Sequence, residues 1–125
     1  MFIKKNPNPK NKNVGDCSVR SICFSEGIEW DKAFFELSTM AAIEKDMPSS
    51  NEVIEKYLLS LGYKKHIINN TCPDCYTINR FCSEHPIGTY IVGTGTHVVC
   101  CKDGNYIDTW DSGDKIAIYY YEKRF

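Results

Sequence analysis

The spacing of hydrophobic residues changes from a helical to a strand pattern about halfway along the chain. In the first half, apolar side chains recur every three or four residues in three segments that glycine, proline and polar residues separate. The first segment follows Asp16, a good N-cap residue, and precedes Gly27, which suits the left-handed position after a helix. Asp31 is a similar N-cap for the second segment. The predicted helices span residues 17–25, residues 31 to about 40 and residues 53–61.

In the second half, β-branched and aromatic residues form short runs that glycine-rich turns separate, a pattern typical of strands. One short helix is predicted among them, over residues 77–84, and it stops before Pro86. Asp103-Gly104 strongly favours a two-residue hairpin turn. Helices that come first and an antiparallel sheet that comes second predict an α+β fold. The predicted strands span residues 63–68, 89–92, 96–102, 106–110 and 115–121.

Composition and charge narrow the class of protein. Residues 1–14 contain four asparagines, two prolines and four lysines, which predicts a flexible, irregular segment before a single domain over residues 15–125. The net charge is −1 and no block of like charge occurs, so we expect no nucleic-acid partner. The absence of a long apolar run or a secretory signal favours a cytoplasmic protein without a membrane partner. In such a reducing compartment the seven cysteines are expected to be thiols.

One of these thiols has a sequence position that favours reactivity. Cys17 is predicted in the first turn of the first helix, where unpaired N–H groups and the positive end of the helix dipole favour the thiolate. A nucleophilic cysteine also needs a base and a group that orients the base. The alternative is a buried helical cysteine that packs as a small hydrophobic residue, which is what we expect of Cys23, Cys82, Cys100 and Cys101.

The predicted hairpin supplies both partners. With Asp103-Gly104 as a two-residue turn, His97, Asp108 and Trp110 project from the same side of the sheet. Asp108 is then the diagonal neighbour of His97, at a backbone separation of roughly 7 Å that two side chains can bridge. Asp111 falls on the opposite side, although a one-residue bulge would exchange the two aspartates. A histidine or aspartate alone is more often structural, and it is their shared face that indicates a site.

The order of these elements resembles the papain-like cysteine peptidases. The resemblance is carried by Gly15-Asp16-Cys17 at the start of a helix, His97 at the start of a strand and Asp108-Thr109-Trp110 on the next strand. From Val14 to Tyr121 the chain also resembles small bacterial and phage proteins of this fold. The shared motifs are Gly-Asp-Cys-x-x-Arg, His-Pro-x-Gly-Thr-Tyr and Asp-Gly-x-x-x-Asp-Thr-Trp-Asp.

The resemblance implies a papain-like fold, with N-terminal helices packed on a C-terminal sheet, and a cysteine peptidase-like hydrolase that needs no cofactor. In it, Cys17 is the nucleophile, His97 the base and Asp108 the orienting group, and Trp110 covers the His97–Asp108 pair. The implied reaction is attack of the Cys17 thiolate on an amide, isopeptide or thioester carbon of a peptide or protein substrate.

Enzymes of the papain type also place a polar side chain shortly before the cysteine, where it donates a hydrogen bond to the oxyanion together with the cysteine N–H. That side chain is usually a glutamine, which this chain lacks. Asn11 and Asn13 are the candidates here, and Asn11 has the spacing closer to that of the family.

Two other classes of function stay open. A papain-fold protein that has lost turnover could bind and modulate a host protein, as a phage-encoded chain would. A zinc-stabilised interaction module is the other, because Cys72, Cys75, Cys82 and His85 have the paired spacing of tetrahedral zinc ligands. Against zinc, the helix predicted over residues 77–84 would turn Cys82 toward the core.

Overall fold

The computed structural model of the chain describes residues 1–69 and 75–123. In these ranges four helices pack against a mixed six-stranded sheet, so the predicted α+β fold is confirmed, although the sheet is not antiparallel throughout. The helices are α1 (Cys17–Glu26), α2 (Trp30–Glu44), α3 (Asn51–Ser60) and α4 (Ile78–Glu84). The strands are β1 (Phe2–Lys4), β2 (Lys64–Ile67), β3 (Thr89–Gly93), β4 (Val98–Lys102), β5 (Asn105–Asp108) and β6 (Tyr119–Glu122).

The sheet has the order β1-β5-β4-β3-β6-β2, and β4 and β5 form the predicted hairpin. Asp103 and Gly104 have φ angles of 50° and 83°, and a type I′ turn requires positive φ at both positions. Lys102 pairs with Asn105, which confirms the predicted register of the hairpin. β5 ends at Asp108, so Trp110 lies beyond the strand rather than on it.

The start of the chain differs from the predicted irregular segment. Residues 2–4 form β1, which pairs in parallel with β5 at the edge of the sheet. The N-terminal ammonium group donates to the carbonyl of Gly104 at 2.9 Å, and the Phe2 ring lies 5.5 Å from that of Tyr106. The run of asparagine and proline that indicated an irregular segment begins only after this strand.

Two apolar clusters lie on opposite sides of the sheet. The first joins α1, α2 and α3 to sheet residues such as Ile91 and Val98, and the second joins α4 to Val92 and Val99. This alternation along β3 and β4 is that of strands buried on both faces. Within the first cluster α1 packs on β4, and Cys17 at the start of the helix lies beside Val98 at the start of that strand. No helix in the described ranges has the length and apolar character needed to cross a membrane.

One predicted helix cap is wrong, and the other makes no capping hydrogen bond. α2 begins at Trp30 and has Glu29 at its N-cap position, so Asp31 lies in the first turn, where its charge suits the helix dipole. Asp16 does occupy the N-cap position of α1, but its side chain accepts no hydrogen bond from the helix backbone. Its carboxylate bonds to Arg20 and Trp30 instead.

Candidate active site

Three polar side chains meet where α1 approaches the β4–β5 hairpin. Cys17 is the first residue of α1, His97 immediately precedes β4, and Asp108 is the last residue of β5. Because β5 runs antiparallel to β4, the end of β5 lies beside the start of β4. The first residues of α1 pack against this same end of the hairpin. The structure thus brings together the three residues that the sequence predicts as a triad.

Hydrogen bonds hold the carboxylate of Asp108 through both of its oxygens. Oδ2 lies 2.7 Å from Nε2 of His97 and accepts a hydrogen bond of 2.8 Å from Ser112. Oδ1 accepts from the backbone N–H of Thr109 and from the guanidinium of Arg20. Burial by itself would raise the pKa of Asp108, but the hydrogen bonds with His97 and Ser112 lower it. The carboxylate is therefore charged at neutral pH.

His97 connects this carboxylate to the sulfur of Cys17. Because Nε2 faces Asp108, Nδ1 is the ring nitrogen left for the hydrogen bond with Cys17. Burial by itself would raise the pKa of Cys17, but the His97 hydrogen bond and the backbone N–H of Val98 hold it below its ordinary value of 9.0. The positive charges of His97 and Arg20 act in the same direction. Cys17 thus has the electropositive surroundings of a reactive thiol.

The pKa of His97 is raised, which favours the protonated ring beside the Cys17 thiolate. Burial would lower it, but the hydrogen bonds with Asp108 and Cys17 raise it to about 9. A lowered thiol pKa beside a raised imidazole pKa favours a thiolate–imidazolium ion pair at neutral pH. In this state the sulfur can attack a substrate as a nucleophile, and the protonated ring can donate its proton to a leaving group.

A buried ion-pair network extends from the triad into the helices. Arg20, one turn after Cys17, donates to Asp108 Oδ1 at 3.1 Å and also pairs with Asp16. Trp30 donates from its indole nitrogen to the other oxygen of Asp16 at 2.9 Å. The sequence predicts Asp16 only as a helix cap, whereas the structure makes it an anchor for Arg20.

Trp110 lies against the His97 ring, with 4.9 Å between the ring centroids. The indole is 42% exposed, so it covers one side of the ring while its outer face remains open to solvent. Trp110 thus has the position expected of a cover for the His97–Asp108 pair. A cleft of about 600 Å³ opens in front of these residues and of Cys17.

Only one of the two candidate oxyanion donors lines the cleft. Asn13 lines it together with Cys17 and His97. Both asparagines line a neighbouring cavity, but Asn11 is not among the residues that line the cleft. The structure thus favours Asn13, although the spacing along the sequence favours Asn11.

Asp111 and the candidate zinc ligands lie apart from this site. Asp111 accepts a hydrogen bond of 2.6 Å from Tyr106, so it does not compete with Asp108 for His97. Cys82 is fully buried in the second apolar cluster, as the predicted helix requires. The His85 ring stacks on Phe81 with 3.9 Å between centroids.

Cys72 lies outside the described residues, and Cys75 is half-buried. Among residues 1–69 and 75–123 no three histidine, cysteine, aspartate or glutamate side chains cluster in a way that would hold a metal ion.

Sequence reasoning missed two contributors to the site. Ser112 is fully buried and donates to Asp108, and the backbone N–H of Val98 faces the sulfur of Cys17. Ser112 follows Asp108 by four residues in a loop, and no periodic pattern marks it. Comparison of the chain with models of protein families, with curated proteins and with solved structures finds no match. The function of the site therefore has to follow from its own geometry.

Proposed function

We propose that this chain is a papain-like cysteine hydrolase of the peptidase or amidase type, which cleaves or transfers an amide or thioester acyl group. The observation that carries the proposal is the meeting of Cys17 and His97 in one cleft, with His97 held at 2.7 Å by the buried Asp108. A helix that begins at the nucleophile and packs on the strands that bear the other two residues supports the papain-like assignment.

In the proposed mechanism the Cys17 thiolate attacks the acyl carbon, and a carbon–sulfur bond forms as the carbonyl π electrons move onto oxygen. The backbone N–H of Cys17 and the side chain of Asn13 stabilise that oxyanion. His97 then gives its proton to the leaving group, whose bond to the acyl carbon breaks.

The acyl group is then bound to Cys17 as a thioester. His97, now neutral, takes a proton from water, and the hydroxyl oxygen adds to the thioester carbon. The carbon–sulfur bond breaks, so that the acid is released and the thiolate–imidazolium pair returns. Asp108 keeps the ring oriented through both steps by its 2.7 Å contact with Nε2.

The substrate in this proposal is a peptide or protein, because the open cleft beside Cys17 leaves room for an extended chain. A reducing compartment such as the cytoplasm suits the protein. Cys17, Cys23, Cys82, Cys100 and Cys101 are thiols, and such a compartment keeps them so.

Selective alkylation tests the proposal. We would treat the folded protein at pH 7 with a small excess of iodoacetamide and locate the modified cysteine by mass spectrometry. Cys17 is expected to react first, because burial raises the pKa of Cys23 to about 11 and that of Cys100 to about 12. A background with Cys72→Ser and Cys75→Ser removes two cysteines that could compete.

The His97→Ala variant of the same background is the control for activation. It should lose the selectivity for Cys17, since a buried thiol without its imidazolium partner has a raised pKa. Equal labelling of several cysteines in the parent protein, or labelling of Cys17 that His97→Ala does not slow, would rule out a working pair.

A further inference from the structure

A polar cavity of about 420 Å³ adjoins the cleft beside the ends of β1 and β5. We propose that this cavity is a subsite that binds a carboxylate in the leaving part of the substrate. The inference rests on the proposed function, and it adds the charge of the group that the enzyme releases, which the triad alone does not define.

The side chains that line the cavity are all polar, and two of them are cations. None of the described residues in its lining is an aspartate or a glutamate. Ammonium, amide and hydroxyl groups all donate hydrogen bonds, and a carboxylate is the acceptor that gains most from such donors. The lining residues are Lys4, Lys5, Asn6, Asn11, Asn13 and Thr109.

The positive charge of this region is not neutralised by neighbouring acids. Residues 1–14 contain four lysines and no aspartate or glutamate. Lys4 and Lys5 form no ion pair within the part of the chain that the structure describes. Lys56 and Lys65, in contrast, both pair with glutamates. The two ammonium groups at the cavity can therefore pair with an anion that comes from outside the chain.

Strand pairing fixes the two lysines beside the triad. Lys4 is opposite Asp108 in the register of β1 and β5, and the backbone N–H of Lys5 donates to the Asp108 carbonyl at 2.9 Å. The Lys5 ammonium also lies 5.9 Å from the centre of the Phe24 ring on α1. The sheet thus holds both cations next to the residue that orients the catalytic histidine.

Hydrogen bonds shape the asparagine-rich segment that completes the cavity. The Asn6 side chain donates to the Lys12 carbonyl and accepts from the backbone N–H of Asn8, each at 3.0 Å. Asn11 has a positive φ of 54°, which asparagine tolerates better than most residues. The Asn11 amide makes no hydrogen bond with the described residues, so it is available to a ligand. A cavity formed before binding loses little affinity to ordering.

The wall between the cavity and the cleft indicates which part of the substrate the cavity receives. Thr109 and Asn13 line both, so a chain bound in the cleft can extend into the cavity. Thr109 lies between Asp108, which bonds to His97, and Trp110, which packs on the same ring. The leaving group has to approach that ring, because the ring protonates it. The cavity therefore receives the leaving part of the substrate.

Three thioesters that differ only in the leaving thiol test the inference. Each has an N-acetylglycyl group on the sulfur of a mercaptoacetyl amino acid. The amino acid is asparagine amide, which is neutral, aspartate amide, which has an acidic side chain, or asparagine with a free carboxylate at its end. Cys17 forms a new carbon–sulfur bond to the acyl group, the bond to the leaving sulfur breaks, and His97 gives that sulfur its proton.

Mass spectrometry after an acid quench measures the initial rate at which each thioester acylates Cys17. Each rate is divided by the rate of the same thioester with N-acetylcysteine, which corrects for the reactivity of the leaving thiol. At low salt, one of the two acidic thioesters should react roughly fivefold faster than the neutral one, as expected for two partly exposed charge pairs. High salt should reduce this ratio. The thioester with the advantage shows whether the ligand is an acidic side chain or a chain end.

Lys4→Gln combined with Lys5→Gln should bring the ratio close to one, because both ammonium groups leave the cavity. Lys10→Gln combined with Lys12→Gln is the matched control. This double variant removes the same charge from the same segment, but neither lysine lines the cavity. Lys4→Glu combined with Lys5→Glu should invert the ratio in favour of the neutral thioester.

The possible outcomes separate the two proposals. A ratio that falls when Lys4 and Lys5 are replaced, and persists when Lys10 and Lys12 are replaced, supports the subsite. If all three thioesters acylate Cys17 at equal corrected rates, the subsite is wrong and the hydrolase proposal stands. If the two glutamine double variants lower the ratio equally, the overall charge of the segment is its source and the subsite is wrong. If no thioester acylates Cys17, both proposals fail.

Discussion

Arg20 donates from Nη2 to Oδ1 of Asp108 at 3.1 Å, across a separation of 88 residues in the chain. The same guanidinium pairs with Asp16, beside the nucleophile, so one cation bridges the two carboxylates that flank Cys17 and His97. Both carboxylates and the guanidinium are nearly fully buried. The relationship makes Arg20 a positioning residue, which holds Asp108 in place and ties α1 to β5.

Arg20→Met tests this arrangement through stability. The substitution leaves Asp16 and Asp108 buried without their cation, and the loss of one partner of a buried ion pair costs about 3–5 kcal/mol. We expect the free energy of unfolding, measured with urea, to fall by that amount. Arg20→Lys should recover only part of the loss, because a single ammonium group cannot hold two carboxylates as the planar guanidinium does.

Arg80→Met is the matched control for Arg20→Met. Arg80 pairs with Glu84 one helical turn away, but both side chains are about half exposed. Exposed pairs of this kind contribute about 0.3–0.5 kcal/mol. Similar losses of stability in the two variants would show that the buried bridge has no special role.

The pH dependence of alkylation follows from the opposite pKa shifts of Cys17 and His97. The rate of modification by iodoacetamide should rise with pH as Cys17 loses its proton, with a midpoint below the ordinary thiol value of 9.0. In His97→Ala the midpoint should move upward, because burial remains and the stabilising imidazolium is gone. A midpoint at or above 9.0 in the parent protein would contradict the ion pair.

Turnover should have an alkaline limit as well. The leaving group takes its proton from the imidazolium, and that proton is lost as the pH passes the His97 pKa of about 9. Cleavage by the parent protein should therefore decline above that pH, although alkylation, which needs only the thiolate, continues. A decline of both rates together would indicate unfolding at high pH, which circular dichroism would detect.

Asp108→Asn should lower the pKa of His97, because an amide can orient the ring but supplies no negative charge. NMR titration of the His97 ring measures the pKa directly. An imidazolium that is less stable stabilises the Cys17 thiolate less, so we expect the rate of Cys17 alkylation at pH 7 to fall together with the His97 pKa. Asp111→Asn is the control, since Asp111 bonds to Tyr106 and not to His97. If Asp111→Asn had the larger effect, the aspartate assignment would be wrong.

The hairpin of β4 and β5, which brings His97 and Asp108 together, is the part of the site that the sequence predicted best. Its geometry depends on residues that are close together in the chain. Asp103-Gly104 has side chains suited to a type I′ turn, and this turn alone determines the pairing of β4 with β5. The neighbourhood of His97 and Asp108 follows from that pairing. Likewise, Gly27 adopts the left-handed conformation expected after a helix, with φ of 65°.

Three features that the sequence did not predict depend on contacts between distant segments: the strand β1, the partners of Asp16 and the position of Asn13 in the cleft. β1 forms only because β5 offers it an edge, and a run of three residues carries too little pattern to predict a strand. Asp16 has the residue type of a helix cap, but Arg20 and Trp30 compete for its carboxylate. The preference for Asn13 over Asn11 in the cleft also depends on the path of the backbone, because Asn11 has a positive φ of 54°.

Phe2 offers a direct test of the strand that the sequence did not predict. Its ring packs against Tyr106 in the second apolar cluster, whereas the neighbouring Ile3 is 39% exposed. Phe2→Ala should lower the free energy of unfolding by roughly 1–2 kcal/mol, as expected for a half-buried aromatic side chain. Ile3→Ala should stay within about 0.5 kcal/mol, as exposed substitutions usually do. Urea denaturation of both variants measures the difference, and equal effects would mean that β1 does not pack on the sheet in solution. The backbone N–H of Lys5, directly after β1, donates to the carbonyl of Asp108 at 2.9 Å, so the packing of this edge strand also holds the end of β5 that carries Asp108.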